Sequence, residues 1–369
     1  MIGNPDADHA ADILSNMTEV NQQIIAERLA LSRATVSRCF TNHPGINPMT
    51  RAKVFKVAAE VGYTHLENRT SKANKPSART TLGVLICSEE EEYNRQDYQS
   101  PGEQILAGVT ECSHLGSASV EVIFVSPKDR SLDDPSYARI KRIRRRWKGI
   151  ILIYPFPETV IRELKLLMPV VSLVEQFESA GIDCVDADHY KGISTAIEHL
   201  HANGHRRIGY FTRIYPVEAT WSFRRYAAYV EKMARLHLPF SQEDAVNVFP
   251  SPEMDLARSY DHVAARVREG TTAWVCAADH QAYDLIQGLS QRGLKIPQDV
   301  SVTGFDGIST PPGCPELSTV EIPFREIGAT GTRRLIERIN KRFGSTQHVF
   351  IDCQFREGQS VAAPGTAKP

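Results

Sequence analysis

No run of about 18 consecutive apolar residues occurs in this chain, so the sequence offers no candidate for a membrane-spanning helix. No positively charged start leads into an apolar stretch, and no secretion signal is expected; a cytoplasmic protein is. The seven cysteines, Cys39, Cys87, Cys112, Cys184, Cys276, Cys314 and Cys353, contain no CxxC pair. An odd number in mostly apolar surroundings speaks for reduced, buried thiols rather than bridges or zinc. Gly-x-Ser-x-Gly, P-loop and Gly-x-Gly-x-x-Gly motifs are all missing, so nothing supplies a nucleophile or a phosphate cradle, and neither an enzyme nor a cofactor is expected. Charge of one sign is lacking too, with a net of −1 over 369 residues. Its distribution is uneven: residues 20–80 hold ten Lys/Arg against three Glu. A basic end on a near-neutral body fits a single nucleic-acid face.

Residues 20–63 read as three short helices. Ile25, Ala26 and Leu29 recur at helical spacing behind Asn21, a helix N-cap. After a tight turn at Ala30-Leu31, Ser32 caps a second helix running to Phe40. Asn47-Pro48 opens a third, with proline at its first position. Val54, Val57, Ala58 and Val61 form the third helix's apolar stripe, and Gly62 stops it. This is a helix-turn-helix, a unit that puts the start of its second helix into the DNA major groove. Arg33 and Ala34 lie at that end. Arg38, one turn on, is the candidate for a bidentate contact to guanine, worth roughly 1–3 kcal/mol of discrimination. Thr35 and Ser37 suit phosphate contacts, while Val36 should be core.

Around this unit, residues 1–18 are expected to be a disordered extension, 64–80 a basic linker and 361–369 a disordered tail. From 81 to 360 strand and helix patterns alternate. Strands are expected over 82–86, 120–125, 149–153, 170–173, 207–211, 273–276 and 300–304. Helices are expected over 104–115, 137–147, 158–167, 191–203, 223–236 and 282–292. Such alternation builds parallel sheets covered by helices. Two series in tandem suggest two lobes with a ligand between them, at the carboxyl ends of strands.

The spelling adds to the pattern. Ile25-Ala26 followed by Leu31-Ser32-Arg33-Ala34-Thr35-Val36-Ser37-Arg38, and Val61-Gly62-Tyr63, resemble the DNA-binding domain of the lactose-repressor family of bacterial regulators. Gly204-His205-Arg206-Arg207-Ile208, Arg225-Tyr226-Ala227-Ala228-Tyr229, Ala277-Ala278-Asp279 and Ile296 to Asp306 are similar to segments of that family's core. The resemblance covers roughly residues 20–360. It implies an all-α helix-turn-helix domain at 19–63, joined to an α/β two-lobed, periplasmic-binding-protein-like core with three chain crossings. It also implies effector contacts from Arg225, Asp279, Asp306, Glu175 and Asp188. Carboxylates and a guanidinium suit a polyhydroxylated ligand, and Tyr98, Tyr154 or Phe249 could stack on a sugar ring. Two departures, Ala278 for the family's Asn and Ile322 for a common polar residue, remove hydrogen-bonding groups. The linker departs as well: Lys72 stands where the family has a leucine wedge. Charge contacts to DNA from Arg69, Lys72 and Lys75 are therefore expected, with less bending.

Bland readings stand beside these. Asp188 also suits an N-cap ahead of Lys191, Asp306 a turn cap, and Tyr154 and Phe249 packing. His199, His201 and His205 are not expected to hold a metal, since His201 would face away from His199. The expected function is a homodimeric, sequence-specific DNA-binding regulator, repressor in sense, whose operator affinity responds to a sugar or sugar derivative. A solute-binding protein of the same two-lobed fold and a sugar enzyme on that scaffold are the alternatives.

Overall fold

The computed structural model describes residues 21–41, 43, 45–61, 63, 80–88, 101–116, 118–177, 180–215, 219–248, 253–341 and 344–365. The chain divides into two compact units, 1–75 and 76–369.

In the first unit α1 spans Gln22–Arg28, α2 Arg33–Phe40 and α3 Pro48–Glu60. Each begins with a polar cap. Asn21 accepts from the Gln23 amide at 2.8 Å, Ser32 from Thr35 at 3.0 Å and Asn47 from Met49 at 2.8 Å. Every cap satisfies a donor that the first turn leaves without a helical partner. The inward faces bury Ile25, Ala26, Val36, Cys39, Ala52, Val54 and Phe55, and Phe40 stacks on Phe55 at 5.3 Å. Arg51 is also buried, and its Nη2 donates to the His43 carbonyl at 2.8 Å, pinning the α2–α3 connection. The periodicity gave no hint of that arginine.

The second unit holds two six-stranded sheets. One comprises β1 (Thr81–Cys87), β2 (Ser119–Val125), β3 (Trp147–Ile153), β4 (Val170–Leu173), β5 (Asp183–Ala187) and β11 (His348–Ile351), in the order β11-β5-β4-β3-β1-β2. All its pairings are parallel. The other comprises β6 (Ile208–Phe211), β7 (Ala245–Val246), β8 (Ala273–Cys276), β9 (Ser301–Asp306), β10 (Ser318–Glu321) and β12 (Gln354–Arg356), in the order β12-β10-β9-β8-β6-β7. Only its edge pairing, β10 with β12, is antiparallel. Both sheets reverse direction of winding after their first strand, between β1 and β3 and between β6 and β8. Ligands of open α/β sheets bind at such switch points.

Helices cover the sheets: α4 (Pro101–Leu115), α5 (Ala138–Ile143), α6 (Glu158–Leu167), α7 (His189–Ala202), α8 (Thr220–Arg235), α9 (Leu256–Arg268), α10 (Asp279–Ser290) and α11 (Phe324–Ile339). α11 packs on β3, β4, β5 and α4, so it belongs to the first lobe although it follows most of the second. The chain thus crosses between lobes after β5, after β10 and between β11 and β12. None of the described helices is long and apolar enough to cross a membrane.

Three expectations need correction. The helix expected over 137–147 is a short α5 flanked by 3-10 turns at Pro135–Tyr137 and Arg144–Arg146, and Trp147 opens a strand. Tertiary packing overrides local propensity there: the Trp147 ring fills the space over Gly83 of β1, and its Nε1 donates to Glu121 at 2.6 Å. The tail expected to be disordered from 361 is tied in at Ala362, whose carbonyl accepts from Ser301 Oγ at 3.1 Å and lies 2.9 Å from His205 Nε2. Sequence reading also passed over β5, β7, β10, β11, β12, α9 and α11. The 1–18 extension and most of the 64–80 linker lie outside the described residues.

Candidate nucleic-acid interface and ligand cleft

α2 presents two chemically distinct faces. Val36 and Cys39 are buried, whereas Ser32, Arg33, Ala34 and Arg38 are exposed and Thr35 and Ser37 half-buried. Ala34 and Arg38 lie one turn apart on the outward side. The Ser32 and Thr35 hydroxyls meet at 2.9 Å, organising the helix start whose free N–H groups favour an anion. The surface this leaves is short, polar and cationic. Arg69 and Lys72 lie outside the described residues.

In the second unit the polar residues named from sequence sit near strand ends. Arg225, on the first turns of α8, is buried. Its guanidinium lies between the rings of Phe305 and Trp221, with Cζ 3.8 and 4.5 Å from their centroids. Nη1 donates to the Ala277 carbonyl and lies 3.4 Å from Asp306 Oδ1, while Nε donates to His189 Nδ1 at 3.2 Å. The ring faces supply an apolar clamp and the oxygens fix the fork. Neither Trp221, Phe305 nor His189 was singled out from sequence, because an aromatic beside a strand or helix end reads as ordinary core.

Asp279 opens α10 directly after β8 and has no exposed surface. Its Oδ2 accepts from the Gly307 and Ile308 amides at 2.7 and 2.9 Å, and its Oδ1 accepts from Thr319 Oγ1 at 2.5 Å. A Cβ on Gly304 would collide with this carboxylate, so the strand needs glycine there. With both oxygens engaged inside the protein, Asp279 shapes the turn that carries Asp306. Burial pushes both carboxyls above the ordinary range. Thr319 and the two amides pull Asp279 partly back, and Arg225 does the same for Asp306.

Glu175 is wholly buried in the loop after β4. Its Oε1 accepts from the Thr220 amide at 3.0 Å and from the Thr220 hydroxyl, at the start of α8. The contact joins the two lobes. Burial, reinforced by the nearby Asp186 charge, holds its pKa well above the usual carboxylate range. Asp188 caps α7, accepting from Lys191 N at 2.9 Å. Tyr154 is half-buried at the end of β3, and Tyr98 and Phe249 lie outside the described residues.

Backbone strain gathers at the same edge. Tyr154 (φ 76°), Val174 (φ 59°), Asn247 (φ 58°) and Asp306 (φ 142°) adopt positive φ at the carboxyl ends of β3, β4, β7 and β9. A β-branched residue such as Val174 rarely does so, and strain of this kind collects at functional sites. Of the three histidines, His205 Nδ1 lies 2.8 Å from Thr272 Oγ1, His199 packs on Phe355 and His201 lies beside Arg206. Among the described residues no group of His, Cys, Asp or Glu is arranged to hold a metal ion.

Residues 24–65 match the model of bacterial regulatory proteins of the lacI family, and 197–361 match the periplasmic binding protein-like domain. The chain thus carries a lacI-type helix-turn-helix domain followed by a periplasmic-binding-protein-like domain. Curated relatives include the HTH-type transcriptional repressor MelR of Bacillus subtilis, 26% identical over 343 residues (89% of this chain, 93% of MelR). The repressor CytR of Escherichia coli is 24% identical over 349 residues (91% and 95%). These relatives are repressors, not enzymes. Among solved structures, the lac repressor dimer bound to operator and the anti-inducer ONPF has a TM-score of 0.62 at 21% identity, covering 94% of this chain and 100% of that one. The regulator CelR in complex with cellobiose also gives 0.62, at 18% identity, covering 93% and 100%. The fold of this chain is therefore that of the lac repressor: helix-turn-helix helices and a two-lobed α/β core.

Proposed function

We propose that this protein is a cytoplasmic transcriptional repressor that binds a palindromic operator as a homodimer and releases or tightens its hold when a sugar or sugar derivative enters the interlobe cleft. Relatives of repressor function and solved neighbours holding cellobiose, glucose or ribose support the reading. The observation that carries it is the exposed cationic face of α2 on a capped, tightly packed three-helix unit. Arg38 reads base edges; Ser32, Arg33, Ala34, Thr35 and Ser37 position the helix start on backbone and groove; Arg69 and Lys72 add phosphate contacts. One such helix reads only a few base pairs, so two copies are needed, matched to paired half-sites.

In the cleft Arg225 and Asp306 contact the sugar directly, the guanidinium donating and the carboxyl accepting from hydroxyls. Asp279 holds the Asp306 turn, Glu175 ties the lobes and Asp188 anchors α7. Tyr154, Tyr98 and Phe249 offer aromatic faces. A tenfold change in operator affinity needs about 1.4 kcal/mol of preference for one lobe arrangement.

A gel-shift titration with the neighbouring promoter tests the first half. Arg38→Ala should lose specific retention and keep salt-sensitive binding to any duplex; undiminished specificity would refute its role. Thermal-shift screening of sugars and sugar acids tests the second. Arg225→Ala should abolish the stabilisation given by the best hit, and stabilisation that survives would move the site elsewhere.

A further inference from the structure

His189 is the first residue of α7, immediately past the first interlobe crossing, and it is buried. Both ring nitrogens are engaged. Nδ1 faces Arg225 Nε at 3.2 Å and Nε2 faces Asp186 Oδ2 at 3.0 Å. Asp186 belongs to β5 of the first lobe and Arg225 to α8 of the second, so the imidazole spans the seam. Its own tautomer follows from its partners. A guanidinium can only donate, so Nδ1 must present its lone pair; the one ring proton then sits on Nε2 and is donated to Asp186. A cationic ring would lose the acceptor that Arg225 needs.

We propose that His189 is a positioning residue, a neutral bridge that aims Arg225 into the cleft and couples it to the first lobe. The charged groups facing the ring agree with this. Burial lowers the His189 pKa, Asp186 opposes that, and Arg225 and Arg224 reinforce it. For Asp186, burial works against the carboxylate, but His189 and the Ala187 amide outweigh it and keep the carboxyl below the usual range. Burial and the Asp186 charge both raise the Glu175 pKa, which disfavours a second negative charge beside Asp186. The ring packs 5.9 Å from Phe305, whose face also holds the guanidinium. A ligand that pulls on Arg225 therefore pulls on β5 through one rigid ring. The coupling rests on the reading of Arg225 as an effector contact; the bridge itself does not.

The test uses the full chain labelled with 15N-histidine and 15N-arginine. The His189 resonances, identified by their loss in His189→Gln, should show a protonated Nε2 and a lone-pair Nδ1, unchanged between pH 8 and pH 6.5. The Arg225 Nε proton should exchange with water at least tenfold faster in His189→Leu, which offers no acceptor. It should return to within about threefold of wild type in His189→Gln, whose amide can accept from one side and donate to the other. Calorimetry with glucose, ribose, cellobiose and sucrose adds the ligand readout: any sugar bound by wild type should bind at least tenfold weaker to His189→Leu and recover in His189→Gln. A proton on Nδ1, or an Arg225 Nε exchange rate indifferent to His189→Leu, overturns the bridge. If the wild-type chain shows the bridge signature but Arg225→Ala still binds sugar, the cleft assignment is overturned instead.

Discussion

Asp183 has almost no exposed surface yet accepts from two guanidinium groups. Arg334 Nε reaches Oδ2 at 2.8 Å, Arg338 binds both oxygens at 2.6 and 2.8 Å, and the Gln347 amide adds a fourth bond at 2.7 Å. Burial alone would push its pKa up, but these donors outweigh it and bring it down to about 2. A carboxylate depressed in the folded state contributes stability above its unfolded pKa, here 3.8, and that contribution is lost as the pH falls through about 2. Asp183→Asn is expected to cost about 3 kcal/mol at neutral pH, because it strips the buried Arg334 and half-buried Arg338 guanidiniums of their counter-charge. The variant should also lose less than wild type between pH 4 and pH 2, as read by denaturant midpoints. Equal acid sensitivity in the two proteins would contradict the assignment.

α4 and α11 meet backbone to backbone. A Cβ on Gly108 would fall on the Arg325 carbonyl, and one on Gly328 on the Ile105 carbonyl. At an exposed helix position Gly→Ala stabilises by about 1 kcal/mol. Gly328→Ala should have the opposite sign, a loss of about 1–3 kcal/mol from overpacking, whereas Gly344→Ala, with open space around it, should be near neutral. Chemical denaturation compares the two. The three helices of the first unit were legible because their signals are local: caps at Asn21, Ser32 and Asn47, and apolar residues at helical spacing. α11 was not, since Gly328, Gly331, Thr332 and Arg334 interrupt the buried face that Phe324, Ile327 and Leu335 would otherwise mark as an apolar stripe. β5 hid for a similar reason, with Asp183 and Asp186 buried in a strand that alternation alone would reject. Arg225, Asp279 and Asp306 were legible as a group through their family segments. That Asp279 spends its oxygens on Gly307, Ile308 and Thr319 depends on contacts between distant segments, which spacing does not encode.

The two lobes repeat one winding plan, yet neither is a continuous piece of chain. The first lobe draws β1 to β5 from residues 81–187, then takes α11 and β11 from 324–351. Everything between belongs to the second lobe. During synthesis the early strands must therefore wait, with the face that α11 will cover still bare, while some 130 further residues leave the ribosome. Nascent chains halted after Glu321 should bind hydrophobic dyes and aggregate, and release of the remaining segment should silence that dye signal. The late-arriving helix is in effect the closing stitch, and a frameshift just after β10 would undo the first lobe.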